Sequence, residues 1–469
     1  MTDRRSKPPT SKLGRLARLA GLTTKGIPMA IEGARRAFGT RRTHEQELEA
    51  QRRLAKDAKK AAEAMLKTLG EMKGLPLKIG QMISYIDGIA PPGYEEKVQT
   101  VLKQLLDRAP PLSPEAAVQV VTEELGAPPD EVFMEWEHEP FAAASIGQVH
   151  RAVTKGGEHV AVKVQYPGID KAIKNDLKSV GLLGSMMGPL ANRMHAKQTL
   201  EELTEVFMSE LDYAREAYMA DVFRRMHQHD SDIHIPRVLQ SLSTKRVLTA
   251  ELVGGIGYGE FCRIADQQER NRSGLAIWRF MFRALLKHGY LYADPHPGNY
   301  RFLPDGRVAF LDFGCVKELP AHLIGGIKRY MRAALDDDWD EFDRACIEVL
   351  DYNPHDPSWD LYRSYTIELL RPITEETWVC TSDSARNAVT YIARGVKDLA
   401  FKNGELPTIP HVPHMPREFT FVNRLQWGLA SVMGGIGTIG AFRPISEPWI
   451  RNDVEPLPDA TVWDAPASV

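Results

Sequence analysis

An α+β fold is predicted for this 469-residue chain, on three observations. β-like runs at residues 149–153 and 160–165 flank Lys155-Gly156-Gly157, a hairpin pattern. A second such pattern runs through residues 300–303, Pro304-Asp305-Gly306 and residues 307–311. Around both lie long stretches of helical composition. Hydrophobic residues make up 43% of the chain and charged residues 26%, enough apolar content for a real core and too much for a disordered or fibrous protein. A net charge of −3 speaks against a nucleic-acid binder.

Residues 1–43 form a basic leader. Leu13, Leu16, Ala17 and Ala20 recur at helical spacing, with Lys12, Arg15 and Arg18 near the flanks. That pattern suits either a short amphipathic helix on an anionic membrane surface or a solvated leader. Residues 44–135 read as a helical extension carrying Lys78-Ile79-Gly80-Gln81, interrupted at Pro91-Pro92 and Pro110-Pro111. Residues 136–255 hold the first hairpin, then a long helix predicted over 170–226, then a strand over 246–252 that ends at Gly254-Gly255. Residues 256–455 read as mainly helical around the second hairpin, and 456–469 as a tail. No run reaches the roughly 20 apolar residues of a membrane-spanning helix. The nearest, residues 427–442, is uncharged, short and glycine-rich, and reads as a buried helix. Cys262, Cys315, Cys346 and Cys380 are too dispersed for a zinc or iron–sulfur site and read as reduced thiols.

Three elements carry chemistry, and they occur in one order. Val160-Ala161-Val162-Lys163 is a strand ending in a lysine, able to present its ammonium to phosphate from a rigid platform. Asp294-Pro295-His296-Pro297-Gly298-Asn299 places an acid and an amide in the D-x-x-x-x-N spacing of a kinase catalytic loop. There the acid orients or deprotonates a hydroxyl and the amide oxygen ligates a divalent metal. Asp312-Phe313-Gly314 follows the second hairpin, its carboxylate suited to a hard cation. Each is weak alone. Their joint order is not.

The combination resembles protein kinases, with departures. The loop Ala142-Ala143-Ala144-Ser145-Ile146-Gly147-Gln148-Val149 stands where a kinase has G-x-G-x-x-G-x-V. The added methyls are expected to obstruct close approach to phosphate and alter the nucleotide's pose. Tyr292-Ala293 replaces the His-Arg before the catalytic Asp, and no A-P-E follows the D-F-G. With Lys78-Ile79-Gly80-Gln81 and Glu210-Leu211-Asp212, the chain resembles the UbiB family of atypical kinase-like proteins.

The resemblance implies a bilobal kinase-like fold, with 136–255 as N-lobe, 256–455 as C-lobe and the helical extension over the active site. It implies Mg2+ and ATP as cofactors, ATPase activity, and little phosphorylation of proteins in trans. It assigns Lys163 to phosphate and Glu216 to its carboxylate partner, Asp294 to catalysis, and Asn299 and Asp312 to metal. Glu251-Leu252-Val253 resembles the interlobe hinge, so Glu251 and Val253 join Ala142, Ala143, Ala144, Ser145, Gly147 and Val149 around the nucleotide. His296 either contacts the terminal phosphate or caps its own turn. Lys78, Gln81, Glu210 and Asp212 are read as regulatory, with Glu210 turned to Lys78 from the helix that carries Glu216. The resemblance further implies support of isoprenoid quinone (ubiquinone) biosynthesis on the cytoplasmic or matrix side of a membrane. Its implied partners are quinone precursors or other lipids, an anionic surface and quinone-biosynthesis enzymes, with no nucleic acid. A small-molecule or lipid kinase and a nucleotide-gated scaffold remain as alternatives.

Overall fold

The computed structural model describes residues 113–144, 146–174, 208–382 and 419–457. The leader, the Lys78 and Gln81 motif, Ser145 and the tail from 458 lie outside the described residues. The described residues divide into two compact units, 113–157 with 162–174 and 208–211 in the first and 158–161 with 212–382 and 419–457 in the second.

The first unit opens with helix α1 (Pro114–Leu125), whose proline sits in the first turn and whose C-cap Gly126 is left-handed. Its buried face is Ala116, Ala117, Val120 and Val121. After the short α2 (Pro129–Val132) come strands β1 (Phe133–Trp136), β2 (Ala142–Ala143), β3 (Gly147–Thr154) and β4 (His159–Gln165). β1 and β2 both pair antiparallel with β3. The expected β3–β4 hairpin forms, turned by a Gly157 N–H to Thr154 O bond of 2.9 Å with Gly157 at φ +82°. Along β4 the pleat sends Val160, Val162 and Val164 to the interior and Ala161 and Lys163 to the other face, both half-buried.

The predicted helix over 170–226 is not continuous. Residues 208–210 are helical, Leu211 turns, and Asp212 is the N-cap of a new helix, α3 (Tyr213–Met226). The Asp212 carboxylate accepts from the Arg215 N–H at 3.1 Å. A long-range bond holds the break: Gln165 Nε2 donates to Leu211 O at 2.8 Å. Glu210 and Glu216 therefore do not share a helix, and one helix cannot serve two partners as the sequence suggested.

The second unit continues through β5 (Ile233–His234), β6 (Val247–Glu251), β7 (Ile256–Gly257), α4 (Tyr258–Ile264) and α5 (Gln267–Phe282). A π-helical turn (Arg283–Lys287) extends α5 toward β8 (Tyr290–Tyr292). Next come β9 (Tyr300–Phe302), β10 (Val308–Phe310) and β11 (Val316–Glu318). β10 pairs parallel with β5 and antiparallel with β9, and β9 pairs antiparallel with β7. The helical part comprises α6 (Ala321–Leu335), α7 (Trp339–Leu350), α8 (Trp359–Thr374), α9 (Phe419–Ile436) and α10 (Arg443–Arg451). The two-residue strands β12 (Trp378–Val379) and β13 (Ile439–Gly440) pair antiparallel beside them.

The buried helix read over 427–442 is displaced: α9 ends at Ile436, and Gly437 at φ +75° turns the chain into β13. No helix among the described residues is long and apolar enough to cross a membrane.

Candidate active site

Two short antiparallel pairings position the segments that carry Asp294, Asn299 and Asp312. Tyr292 of β8 faces Val316 of β11, and the Ala293 N–H donates to Cys315 O at 2.9 Å. Asp294 and Asp312 thus leave the same end of this ladder. In the second hairpin Tyr300 faces Phe310, and the Leu311 N–H donates to Asn299 O at 3.0 Å. That bond sets Asn299 beside the residue preceding Asp312. These pairings bring the chain segments that carry Asp294, Asn299 and Asp312 to one place.

The loop between them is tied to itself. Asn299 Nδ2 donates to the Asp294 backbone oxygen at 3.0 Å and lies 3.4 Å from its Oδ2. The His296 N–H donates to Asp294 O at 2.7 Å, and Gly314 N–H to Asp312 Oδ1 at 2.9 Å. His296 caps its own turn: its Nδ1 accepts from the Gly298 N–H at 2.8 Å. An acceptor Nδ1 leaves the proton of the neutral ring on Nε2. Gly298 permits this arrangement, because a Cβ there would lie 2.9 Å from His296 Nδ1.

Sequence reasoning gave no role to the shell around this loop. Tyr292 and Tyr300 are fully buried, and among the described residues the Tyr300 hydroxyl has no hydrogen-bond partner. Burial drives the Tyr292 hydroxyl well above its ordinary pKa, aided by Tyr300 and the charges of Asp312 and Asp294. Burial and Asp294 do the same at Tyr300. Both phenols stay protonated beside the acids. Phe313 is buried among Phe223 of α3, Phe280 of α5 and Tyr292, with ring centroids 5.3, 6.3 and 5.8 Å away. Arg215 Nη2 donates to Val316 O at 2.7 Å, joining α3 to the strand after the D-F-G. Its neighbour Glu216 is buried in the first turn of α3, where the helix dipole favours a carboxylate. Arg215 sits directly beside the assigned Glu216, the one sequence signal that marked it.

The alanine loop, in the first unit, is a tight turn. Ala142 and Ala143 pair as β2 with Val149 and Gln148, and the Ala144 N–H donates to Gly147 O at 2.8 Å. No positive φ is required of the alanines, so their methyls cost no backbone strain. In the second unit, Glu251 closes β6 with its N–H on Arg237 O and its carboxylate 3.2 Å from His234 Nε2. Half-buried Val253 follows.

The sequence profile of the ABC1 atypical kinase-like domain matches residues 104–345, which contain this cluster along with Lys163 and Glu216. The chain belongs to the ABC1 (UbiB) family of atypical kinase-like proteins. It is 34% identical over 316 residues to "Atypical kinase COQ8B, mitochondrial" of Danio rerio, covering 67% of this chain and 50% of that protein. It is 32% identical to the Rattus norvegicus protein of that name, covering 72% and 63%. The chain thus spans about half to two thirds of these relatives. Among solved structures, "The complex structure of Rv3197-erythromycin from Mycobacterium tuberculosis" aligns with a TM-score of 0.59 and 26% identity, covering 87% of this chain and all of that one. The ABC1-family fold is protein-kinase-like, and α8, α9 and α10 lie beyond the matched segment.

Proposed function

We propose that this chain is a Mg-ATP-dependent ATPase that supports isoprenoid quinone biosynthesis at a membrane, with little phosphorylation of proteins. The observation that supports the nucleotide chemistry is that Asp294, Asn299 and Asp312 all lie at the ends of two adjoining strand pairs, β8–β11 and β9–β10. Asn299 and Asp312 are hard oxygen donors of the kind magnesium takes. Bound there, the ion would neutralise phosphate charge. Asp294, its carboxylate steadied by the Asn299 amide, orients the attacking water and takes its proton.

The family resemblance assigns Lys163 to phosphate oxygens and Glu216 to its carboxylate partner, and this reading keeps both roles. With the Glu251 side chain committed to His234, adenine contacts fall to the hinge backbone at Glu251 and Val253. His296 acts as a turn cap that keeps Asp294 and Asn299 in register. The quinone connection, the membrane surface and the regulatory roles of Lys78, Gln81, Glu210 and Asp212 rest on the family resemblance.

Phosphate release with Mg-ATP, with and without anionic liposomes, tests the ATPase reading; no release under either condition removes it. Labelled phosphate recovered in an extracted lipid or metabolite would favour a small-molecule or lipid kinase instead. Unchanged quinone levels in a deletion strain would remove the pathway.

A further inference from the structure

A cavity of about 110 Å³ lies within the second unit, outside the kinase-like cluster. It is partly open, and its walls are mainly apolar: Trp278 and Phe282 of α5, Ile373 of α8, Trp378 of β12, and Leu429 and Met433 of α9. Cys380 in the wall is a free thiol whose pKa burial pushes up to about 12, so it adds no charge, and the one carboxylate in the wall, Glu368, is paired with Arg371 Nη1 at 3.3 Å. An engineered apolar cavity of about 150 Å³ takes up benzene, so this volume suits a molecule of one ring.

Helix α9 forms one wall of the cavity and also touches the catalytic loop. Gln426, Leu429, Ala430 and Met433 line the cavity at helical spacing. Gly428 falls on nearly the opposite face of the same helix, at about 100° per residue. A Cβ at Gly428 would lie 2.5 Å from Pro295 Cγ, so α9 packs directly on the loop between Asp294 and His296. The helix is clamped further along, where a Cβ on Gly434 would meet Thr381 O at 2.6 Å. Close-packed contacts of this kind transmit displacement and do not absorb it.

We propose that this cavity is a binding site for a neutral, apolar, single-ring molecule, and that α9 conveys its occupancy to Asp294 through Gly428 and Pro295. Entry of a ring moves the Leu429 and Met433 face of α9, and the opposite face shifts Pro295. The effect on ATP turnover rests on the proposed ATPase reading; the binding and the loop response do not.

The test uses the full chain and 4-fluorotoluene as probe. Its fluorine NMR signal is expected to broaden with wild type and to recover with Ala430→Phe, which fills the cavity. Equal broadening with both proteins, or none with wild type, overturns the site. If the phenylalanine variant does not fold, Ala430→Leu serves the same comparison. Hydrogen–deuterium exchange of the peptide covering 290–303 is expected to change with probe in wild type only. Bound probe with no change in that peptide overturns the coupling. ATP turnover is measured in parallel: its complete absence removes the ATPase reading, while the exchange result still decides the cavity and its coupling.

Discussion

Arg215 of α3 donates from Nη2 to the backbone oxygen of Val316 at 2.7 Å, across 101 positions of sequence. Val316 opens the strand that follows Asp312-Phe313-Gly314 and pairs with Tyr292. One guanidinium thus links the helix carrying Glu216 to the ladder that aims both aspartates.

Arg215→Ala strands that part-buried carbonyl, and loss of a charge-assisted hydrogen bond costs on the order of 1.5–3 kcal/mol. Thermal unfolding should show that loss, with turnover falling more than stability explains. Arg215→Lys should recover part of the stability and less of the turnover. Turnover that merely tracks stability in both variants would reduce Arg215 to a structural tie.

Asp312→Asn keeps an oxygen for the Gly314 N–H but removes the charge that would hold magnesium. Mg-dependent phosphate release should drop at least about a hundredfold, the scale of one lost electrostatic contact at a reacting centre. The melting temperature should barely move. Turnover at the wild-type rate would exclude the metal role.

Ala144→Gly loosens the turn closed by the Ala144 N–H on Gly147 O. Greater unfolded-state freedom should cost about 0.4–1 kcal/mol. The larger change is expected in the ratio of ATP to ADP affinity, read by calorimetry. Identical affinities before and after would show that this methyl does not shape nucleotide binding.

Acid should weaken the fold in two stages. Burial, then the Arg283 charge, holds His227 well below its ordinary 6.5, with His288 and Arg279 also opposing protonation and Asp230 favouring it. Arg283 Nη1 lies 2.9 Å from His227 Nδ1, so the ring accepts and is neutral. The unfolded chain takes the proton first, and stability falls as pH drops below about 6.5. Burial alone would raise the pKa of Asp230. The Arg279 hydrogen bond and charge, the Asp232 N–H and Arg283 bring it instead to about 2. Its contribution is complete above the unfolded value of 3.8 and is lost as pH falls toward about 2. Melting temperatures from pH 7 to 5 should slope down in wild type and less steeply in His227→Gln, which keeps an acceptor for Arg283, the remaining slope coming from buried His150 and His288. An equal slope in the variant would clear His227.

Gly428→Ala places a methyl against the Pro295 ring, which has no flexible end to give way. Overpacking of this kind costs about 1–3 kcal/mol. Turnover should fall with it, because Asp294 is the next residue along the chain. Full stability together with full turnover would mean that α9 does not bear on the loop.

Both hairpins were legible because their turns are local chemistry: glycine at 157 and 306 adopts positive φ, and β4 alternates along its length. The D-x-x-x-x-N and D-F-G residues were legible for the same reason, since each motif is a short loop between short strands. The break at Leu211 was harder to see. Helical composition continues on both sides, and the one signal was an aspartate able to cap, Asp212, ahead of Tyr213. Gln165, distant in sequence, completes that break.

The amino-acid order alone determined the kinase-like family, the two hairpins and the acidic and amide residues proposed to do the chemistry. Those properties depend on side-chain type and on neighbours a few positions away. Only the folded chain decided that Arg215 reaches Val316, that Tyr292 and Tyr300 stand protonated beside the acids, and that Gly428 meets Pro295. The Arg215 and Gly428 contacts join residues more than a hundred positions apart, and close packing, which has no periodic signature in sequence, selects them.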